Sequence, residues 1–222
     1  MILTARQSKI LQSAVLEYVN LAVPVSSQLL EEKYDFAVSP ATIRNEMKWL
    51  EGEGFLIQPH ISAGRVPTDK GYRFFVDSVF RQETEEPERI HLNHEILKNI
   101  AAASGNLAFV YAKGQDLVWK EGWERLLQEP EFEEKEYLLN FARFLGDLEK
   151  SVRNFQIDRM HVYIGKENPF SRVRDFSIII PVCAFEDDEQ GLVSIIGPKR
   201  MAYQKNIRLI KSPWKNMRKS NN

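Results

Sequence analysis

The run SPATIRNEMKWLEGEGFLIQPHISAGRVPTDKGYR, residues 39–73, constrains the fold more than any other stretch of this chain. Ser39 is a good N-cap, Pro40 suits the first helical position, and Ala41 to Glu53 support a helix that closes at Gly54. Ile43, Met47 and Leu50 recur at four and three and make the buried stripe. The opposite face carries Thr42, Arg44, Asn45 and Lys48, hydrogen-bonding side chains that reach base edges or phosphates if the helix lies in a major groove. Glu51 and Glu53 stand at the far end, so any groove contact concentrates on the first two turns.

The residues before this helix complete a helix-turn-helix pattern. Thr4 caps a first helix running to about Val19, with Ile10, Leu11, Ala14, Val15 and Tyr18 apolar, and Ala22, Val23 and Pro24 end it. A short second helix starts at Ser26 or Ser27 with Leu29, Leu30 and Tyr34 turned inward, and DFAVSP makes the turn. After Gly54 the periodicity changes. Phe55 to Ile57 read as a strand, Gln58 to Ser62 as a loop, Ala63 and Gly64 as its tip, and Arg65 to Val66 as the return, which together describe a two-stranded wing. Thr68 caps a fourth helix whose Tyr72, Phe75, Val76 and Val79 pack on the three-helix core or on a second copy.

Candidate contact residues follow from this outline. Arg65 beside Gly64 suits a minor-groove or phosphate ligand, because glycine permits close backbone approach while the guanidinium reaches further; a solvated hairpin with a surface arginine is the other reading. Arg73 does the same from the fourth helix. His60 reads as a phosphate-contacting or turn residue rather than a metal ligand, since neither a cysteine nor a second histidine lies close in sequence.

Composition shifts near residue 82, and 222 residues suffice for two small domains. The expected division is 1–80, a linker 81–93, and a second domain 94–222. The net charge of -1 hides an acidic stretch from Gln82 to Asp158 and a wholly basic one from Lys199 onward, which reads as a solubilising end or as an aid to phosphate contact. Cys183 stands alone in an apolar run, as a buried small hydrophobe, so neither a disulfide framework nor a thiolate metal site is expected. The start of the chain lacks the pattern of a secretory leader, and no run approaches 18 consecutive apolar residues; the expectation is a cytoplasmic protein without membrane contact.

In the second domain a helix is expected from about His94 to Ala103, then a strand at LAFVY. DLVWKEGWERLLQEPEF is ambiguous, with Trp119, Trp123, Leu126, Leu127 and Phe132 expected to pack on a long amphipathic helix from Glu133 to Phe155. Strands are expected at Met160–Ile164, Ser177–Phe185 and Gly191–Ile196, the last two joined by the acidic turn EDDEQG. Gly197 and Pro198 would begin a final helix from Lys199 to about Ile210, giving an α+β domain with a small antiparallel sheet. Glu131, Glu133, Glu134 and Glu136 read as a solvated face, and GKEN at 165–168 as a capped turn. Neither a nucleophile elbow nor a phosphate loop is present, so no catalytic residue, cofactor or metal is expected and the chain does not read as an enzyme.

LTARQSKILQSAVLEYVNLAVPVSSQLL, then ATIRNEM with LEGEGFLIQPHISAGRVPT, and far downstream VYIGKENPFSRVRDFSIIIPVCAF with GLVSIIGPKRMAYQKNIRLI closely resemble the bacterial heat-inducible transcription repressor HrcA family. The resemblance implies a winged helix-turn-helix domain followed by a reduced GAF-like α+β domain. It also implies a dimer on double-stranded DNA at an inverted-repeat operator, repressing heat-shock (chaperone) genes, with a GroE-class chaperonin as modulator. Carried residue by residue, the family's recognition helix falls on Ser39 to Leu50 and its wing on Gln58 to Pro67, so Ser39, Thr42, Arg44, Asn45, Lys48, His60, Ser62, Gly64, Arg65 and Arg73 are the expected DNA contacts. Typical members are much longer; this chain resembles a compact form without most of the central region that looks important for dimerisation. The competing reading is a protein-interaction or ligand-sensing module whose winged helix binds a protein partner, favoured by the acidic middle of the chain.

Overall fold

The computed structural model describes residues 3–82, 94–155, 159–181 and 191–211. Of the expected 81–93 linker, residues 81 and 82 belong to the helix that ends the first unit; residues 83–93, Cys183, residues 186–190 of the EDDEQG turn and the basic tail after 211 lie outside the described residues. The chain divides into two compact units, Met1–Glu83 and Thr84–Asn222.

The first unit begins with α1 (Ala5–Leu21), α2 (Ser27–Lys33) and α3 (Pro40–Gly52). Thr4 caps α1 through a capping box, its hydroxyl accepting from Gln7 N while the Gln7 side chain accepts from Thr4 N, an arrangement that contributes about 1 kcal/mol. Ser26 and Ser39 cap α2 and α3 through their hydroxyls alone, which accept from Leu29 N and Thr42 N. Ile10, Leu11, Ala14 and Val15 of α1 are buried with Leu30 of α2 and Ile43, Met47 and Leu50 of α3, so one core is shared by all three helices. β1 (Leu56–Ile57) and β2 (Val66–Pro67) pair antiparallel, Leu56 opposite Pro67 and Ile57 opposite Val66. α4 (Asp69–Gln82) follows, and its Tyr72, Phe75, Val76 and Val79 are buried within this unit, where α4 packs on α1 and β2. Of the two expected destinations for that face, the unit's own core takes it.

The second unit opens with α5 (His94–Ser104) and is built on a five-stranded antiparallel sheet. Its strands are β3 (Leu107–Ala112), β4 (Leu117–Glu121), β5 (His161–Ile164), β6 (Phe176–Ile180) and β7 (Gly191–Pro198), in the order β4-β3-β7-β6-β5. Between β4 and β5 lie the short α6 (Trp123–Leu126) and the long α7 (Lys135–Ser151), and α8 (Tyr203–Lys211) closes the unit. Side chains alternate across the sheet. Phe109, Phe176, Ile178, Leu192 and Ile196 meet Phe141, Phe144, Leu145 and Leu148 of α7 on one face. The opposite parity, Val110, Val193, Ile195 and Ile179, is equally buried and faces α5 and α8, where the Ser177 hydroxyl lies 2.7 Å from the Tyr203 hydroxyl. The architecture is α+β and consistent with a GAF-like domain.

Three expectations for this unit are corrected. Gly197 and Pro198 do not begin a helix; they end β7, opposite Ser177 and Phe176, and α8 starts only at Tyr203. The ambiguous segment contains a strand, β4, because Leu117–Glu121 pairs with Ala108–Ala112 of β3; Leu126 and Phe132 are buried and Trp123 meets the Phe141 ring edge-on at 5.9 Å, but Trp119, Trp123 and Leu127 stay substantially exposed. Glu131 is no solvated carboxylate, since Arg200 reaches it at 2.9 Å and also pairs with Glu129. In the GKEN turn Glu167 accepts from Ile164 N at 3.1 Å and Asn168 from Phe170 N at 2.9 Å, satisfying backbone donors.

Candidate nucleic-acid interface

At 100° per residue, the buried stripe Ile43–Met47–Leu50 fixes the direction of every other side chain on α3. Asn45, Lys48 and Ala41 point directly away from the core and are exposed, with Arg44 on one flank and Trp49 on the other. Glu46 returns toward α1, where Arg6 and Gln7 hold its two carboxylate oxygens at 2.9 and 3.0 Å. Ser39 and Thr42 open the helix: Ser39 Oγ accepts from Thr42 N at 3.3 Å, and the two hydroxyls lie 3.0 Å apart.

The cations of this unit separate into two groups. Arg6 pairs with Glu46, Lys33 with Glu17, Arg65 with Glu51 and Arg73 with Asp77, while Lys9, Lys70 and Arg81 donate to the carbonyls of Asp35, Glu53 and Asp77. Arg44 and Lys48 alone have no such partner among the described residues, and both are exposed on one helix face beside Asn45. Unpaired cations next to an amide on a rigid helix can meet phosphates and base edges without first breaking an internal contact.

The hairpin differs in detail from the sequence reading. Its turn spans 60–63, closed by Ala63 N donating to His60 O at 2.9 Å, so the tip is Ile61 and Ser62 rather than Ala63 and Gly64. The Gln58 amide donates to both Ile61 O and Ala63 O at 2.9 Å and staples the turn. Gly64 sits at the base. A Cβ there would lie 2.4 Å from Val25 C and 2.6 Å from Pro24 O, so the glycine is required by a close backbone crossing. Arg65 exchanges two backbone hydrogen bonds with Val25, at 2.8 and 2.9 Å, a single antiparallel bridge just before β2. Its guanidinium is turned inward with a side chain only 13% exposed, and Nε donates to Glu51 Oε2 at 2.9 Å. Arg65 thereby joins the hairpin base to the end of α3, and Glu51 is neutralised where it would otherwise oppose phosphate.

The expected contact residues are thus divided. Arg44, Asn45 and Lys48 share an outward face, His60 and Ser62 are exposed on the hairpin turn, Ser39 and Thr42 form the cap, and Gly64, Arg65 and Arg73 are engaged inside the unit. Two exposed residues lie outside the set expected from sequence: Trp49, 37% exposed, and Ile61, 101% exposed. Trp49 carried a usable signal, since it falls off the Ile43–Met47–Leu50 stripe. Among the described residues no group of three or more His, Cys, Asp or Glu is placed to hold a metal ion, and no helix is long and apolar enough to cross a membrane.

Over 113 residues the chain is 44% identical to the heat-inducible transcription repressor HrcA of Natranaerobius thermophilus, covering 51% of this chain and 33% of that protein. The HrcA of Alkaliphilus metalliredigens is 56% identical over 81 residues, 36% of this chain and 24% of that protein, so these strong matches span a third or less of the relatives' length. An alignment with the HrcA of Thermoanaerobacter pseudethanolicus takes in 91% of this chain and 92% of that protein at 26% identity. A crystal structure of a hypothetical protein at 2.2 Å resolution shares the fold, with a TM-score of 0.76 at 20% identity over 94% of this chain and 95% of that one. The family model described as HrcA protein C terminal domain matches residues 76–207, more than half of the 222 residues, and the chain belongs to the HrcA family.

Proposed function

We propose that the chain is a sequence-specific DNA-binding transcription repressor of heat-shock (chaperone) genes, acting in the cytoplasm as a dimer on an inverted-repeat operator. In this reading residues 1–80 form a winged helix-turn-helix domain, α3 is the recognition helix and residues 58–67 the wing. Residues 94–222 are then a reduced GAF-like dimerisation or regulatory domain behind the 81–93 linker. One observation carries it: in a unit whose other lysines and arginines are all partnered, Arg44 and Lys48 are left uncommitted beside Asn45 on the exposed face of α3. The printed name of the relatives supports the repressor role. Arg44 and Asn45 offer the planar donors that read guanine and adenine edges, and Lys48 suits a phosphate. Ser39 and Thr42 set the first turn against the backbone, His60 and Ser62 approach the duplex from the wing, and Gly64, Arg65 and Arg73 hold the wing and α4 in place. A GroE-class chaperonin is the proposed modulator, and neither catalysis nor a cofactor enters the account.

A mobility-shift titration on a duplex that the protein itself selects from a random library tests this reading. The expected result is an inverted-repeat consensus and a complex containing two chains by light scattering. A monomer without preference for any repeat rejects it.

A further inference from the structure

The side chain of Ile61 has no structural occupation. It is 101% exposed at the hairpin tip, a β-branched apolar residue in a turn where Gly, Asn, Asp or Ser would satisfy the backbone equally well. Among the described residues of its unit, none covers it. The backbone that carries it is nevertheless held firmly: both Gln58 amide hydrogens are bound to tip carbonyls, Gly64 and Arg65 fasten the base to Val25, and Arg65 ties that base to Glu51 of α3. An apolar group is therefore presented at a fixed offset from the helix face bearing Arg44, Asn45 and Lys48, between the exposed polar side chains of His60 and Ser62.

Resting on the DNA-binding reading, we propose that Ile61 is a specificity-determining contact that enters the minor groove flanking the major groove occupied by α3, and that it selects A·T pairs there. Side elements next to a helix docked in the major groove reach the adjacent minor groove, and apolar side chains are accommodated against sugar edges and base steps. The guanine 2-amino group is the donor that distinguishes G·C from A·T in that groove, and an apolar residue leaves it desolvated and unpaired. His60 and Ser62 face the two phosphate walls.

The test uses the full chain and the library-selected duplex, with adenine replaced one position at a time by 2,6-diaminopurine, which adds a minor-groove amino group and leaves the major-groove pattern unchanged. The wild type is expected to lose affinity about tenfold at one symmetric pair of positions. Ile61→Ser is expected to bind the unmodified duplex about tenfold more weakly and to ignore the added amino group, with an unchanged melting temperature because the side chain is fully exposed. Equal affinity of Ile61→Ser and wild type for the unmodified duplex overturns the proposal, as does equal sensitivity of both proteins to diaminopurine. Failure of the wild type to prefer the selected duplex over a scrambled one is a separate result that rejects the DNA-binding reading itself.

Discussion

Arg65 Nε lies 2.9 Å from Glu51 Oε2, joining the base of the hairpin to the last turn of α3 across fourteen residues of sequence. On the proposed reading this pair gives Arg65 a positioning role, and two substitutions separate that role from a direct phosphate contact. Arg65→Ala should destabilise the first unit by about 1 kcal/mol, the ordinary size of a partly exposed pair. It should weaken operator binding without changing the salt slope. Glu51→Gln should weaken binding in the same direction. Were Arg65 a phosphate ligand, Arg65→Ala would instead lower the slope by about one and Glu51→Gln would strengthen binding by releasing the guanidinium.

Glu17 of α1 is buried, accepts from Tyr34 at 2.8 Å and pairs with Lys33. Burial opposes its ionisation, but the Lys33 and Tyr34 hydrogen bonds and the Lys33 charge outweigh it and leave the carboxyl below its ordinary pKa. The stability this contributes is present above the unfolded value of about 4.3 and is lost as pH falls through the lower folded value. Burial, then the hydrogen bond from its hydroxyl to Glu17, push Tyr34 up to about 12. That contribution is complete below about pH 10 and disappears between about 10 and 12. Thermal unfolding against pH should show both losses in the wild type, and Tyr34→Phe should remove the alkaline one; an unaltered alkaline limb contradicts the assignment.

Asn206 of α8 is fully buried, and among the described residues no hydrogen-bond partner reaches either atom of its side-chain amide. Tyr203, Ile207 and Ile210 surround this position on the same helix and are buried too. Replacing the amide by an apolar group of similar volume removes a desolvation cost of about 1–3 kcal/mol. Asn206→Leu should therefore raise the melting temperature of the second unit by several degrees, measured by calorimetry; a fall would mean that the amide has a partner.

Arg44 and Lys48 should separate base reading from phosphate binding. Arg44→Ala is expected to cost about 1–3 kcal/mol on the cognate duplex and to relax preference at one symmetric position. Lys48→Ala should weaken cognate and scrambled duplexes alike and reduce the salt slope by about one. Equal losses for Arg44→Ala on both duplexes would move Arg44 to the phosphate class.

What the sequence discloses and what it conceals divide by distance along the chain. Thr4, Ser26 and Ser39 cap helices through contacts three residues away, so those starts are readable from residue type alone. Gly64 is also conspicuous in sequence, but the Pro24 and Val25 backbone that demands a glycine there is forty residues distant, and the local cue suggests a turn tip instead. Gly197 and Pro198 mislead in the same way, because the partner that makes them strand is β6. β4 is obscured by Lys120 and Glu121, charged residues suited to a sheet edge that interrupt the apolar alternation of LVWKE. The ion pairs of Arg65 with Glu51 and of Arg200 with Glu129 and Glu131 depend on tertiary contact, so candidate cations cannot be sorted into committed and uncommitted ones before the fold is known.

If two copies of α3 read one inverted repeat, binding depends steeply on half-site spacing. Equilibrium titration of the full chain should be run on the selected operator and on the same duplex with five base pairs inserted between the half-sites, which turns one half-site by about half a helical turn. Affinity for the expanded duplex should fall by at least about a hundredfold, toward the level of scrambled DNA. Equal affinity for the two spacings would contradict it.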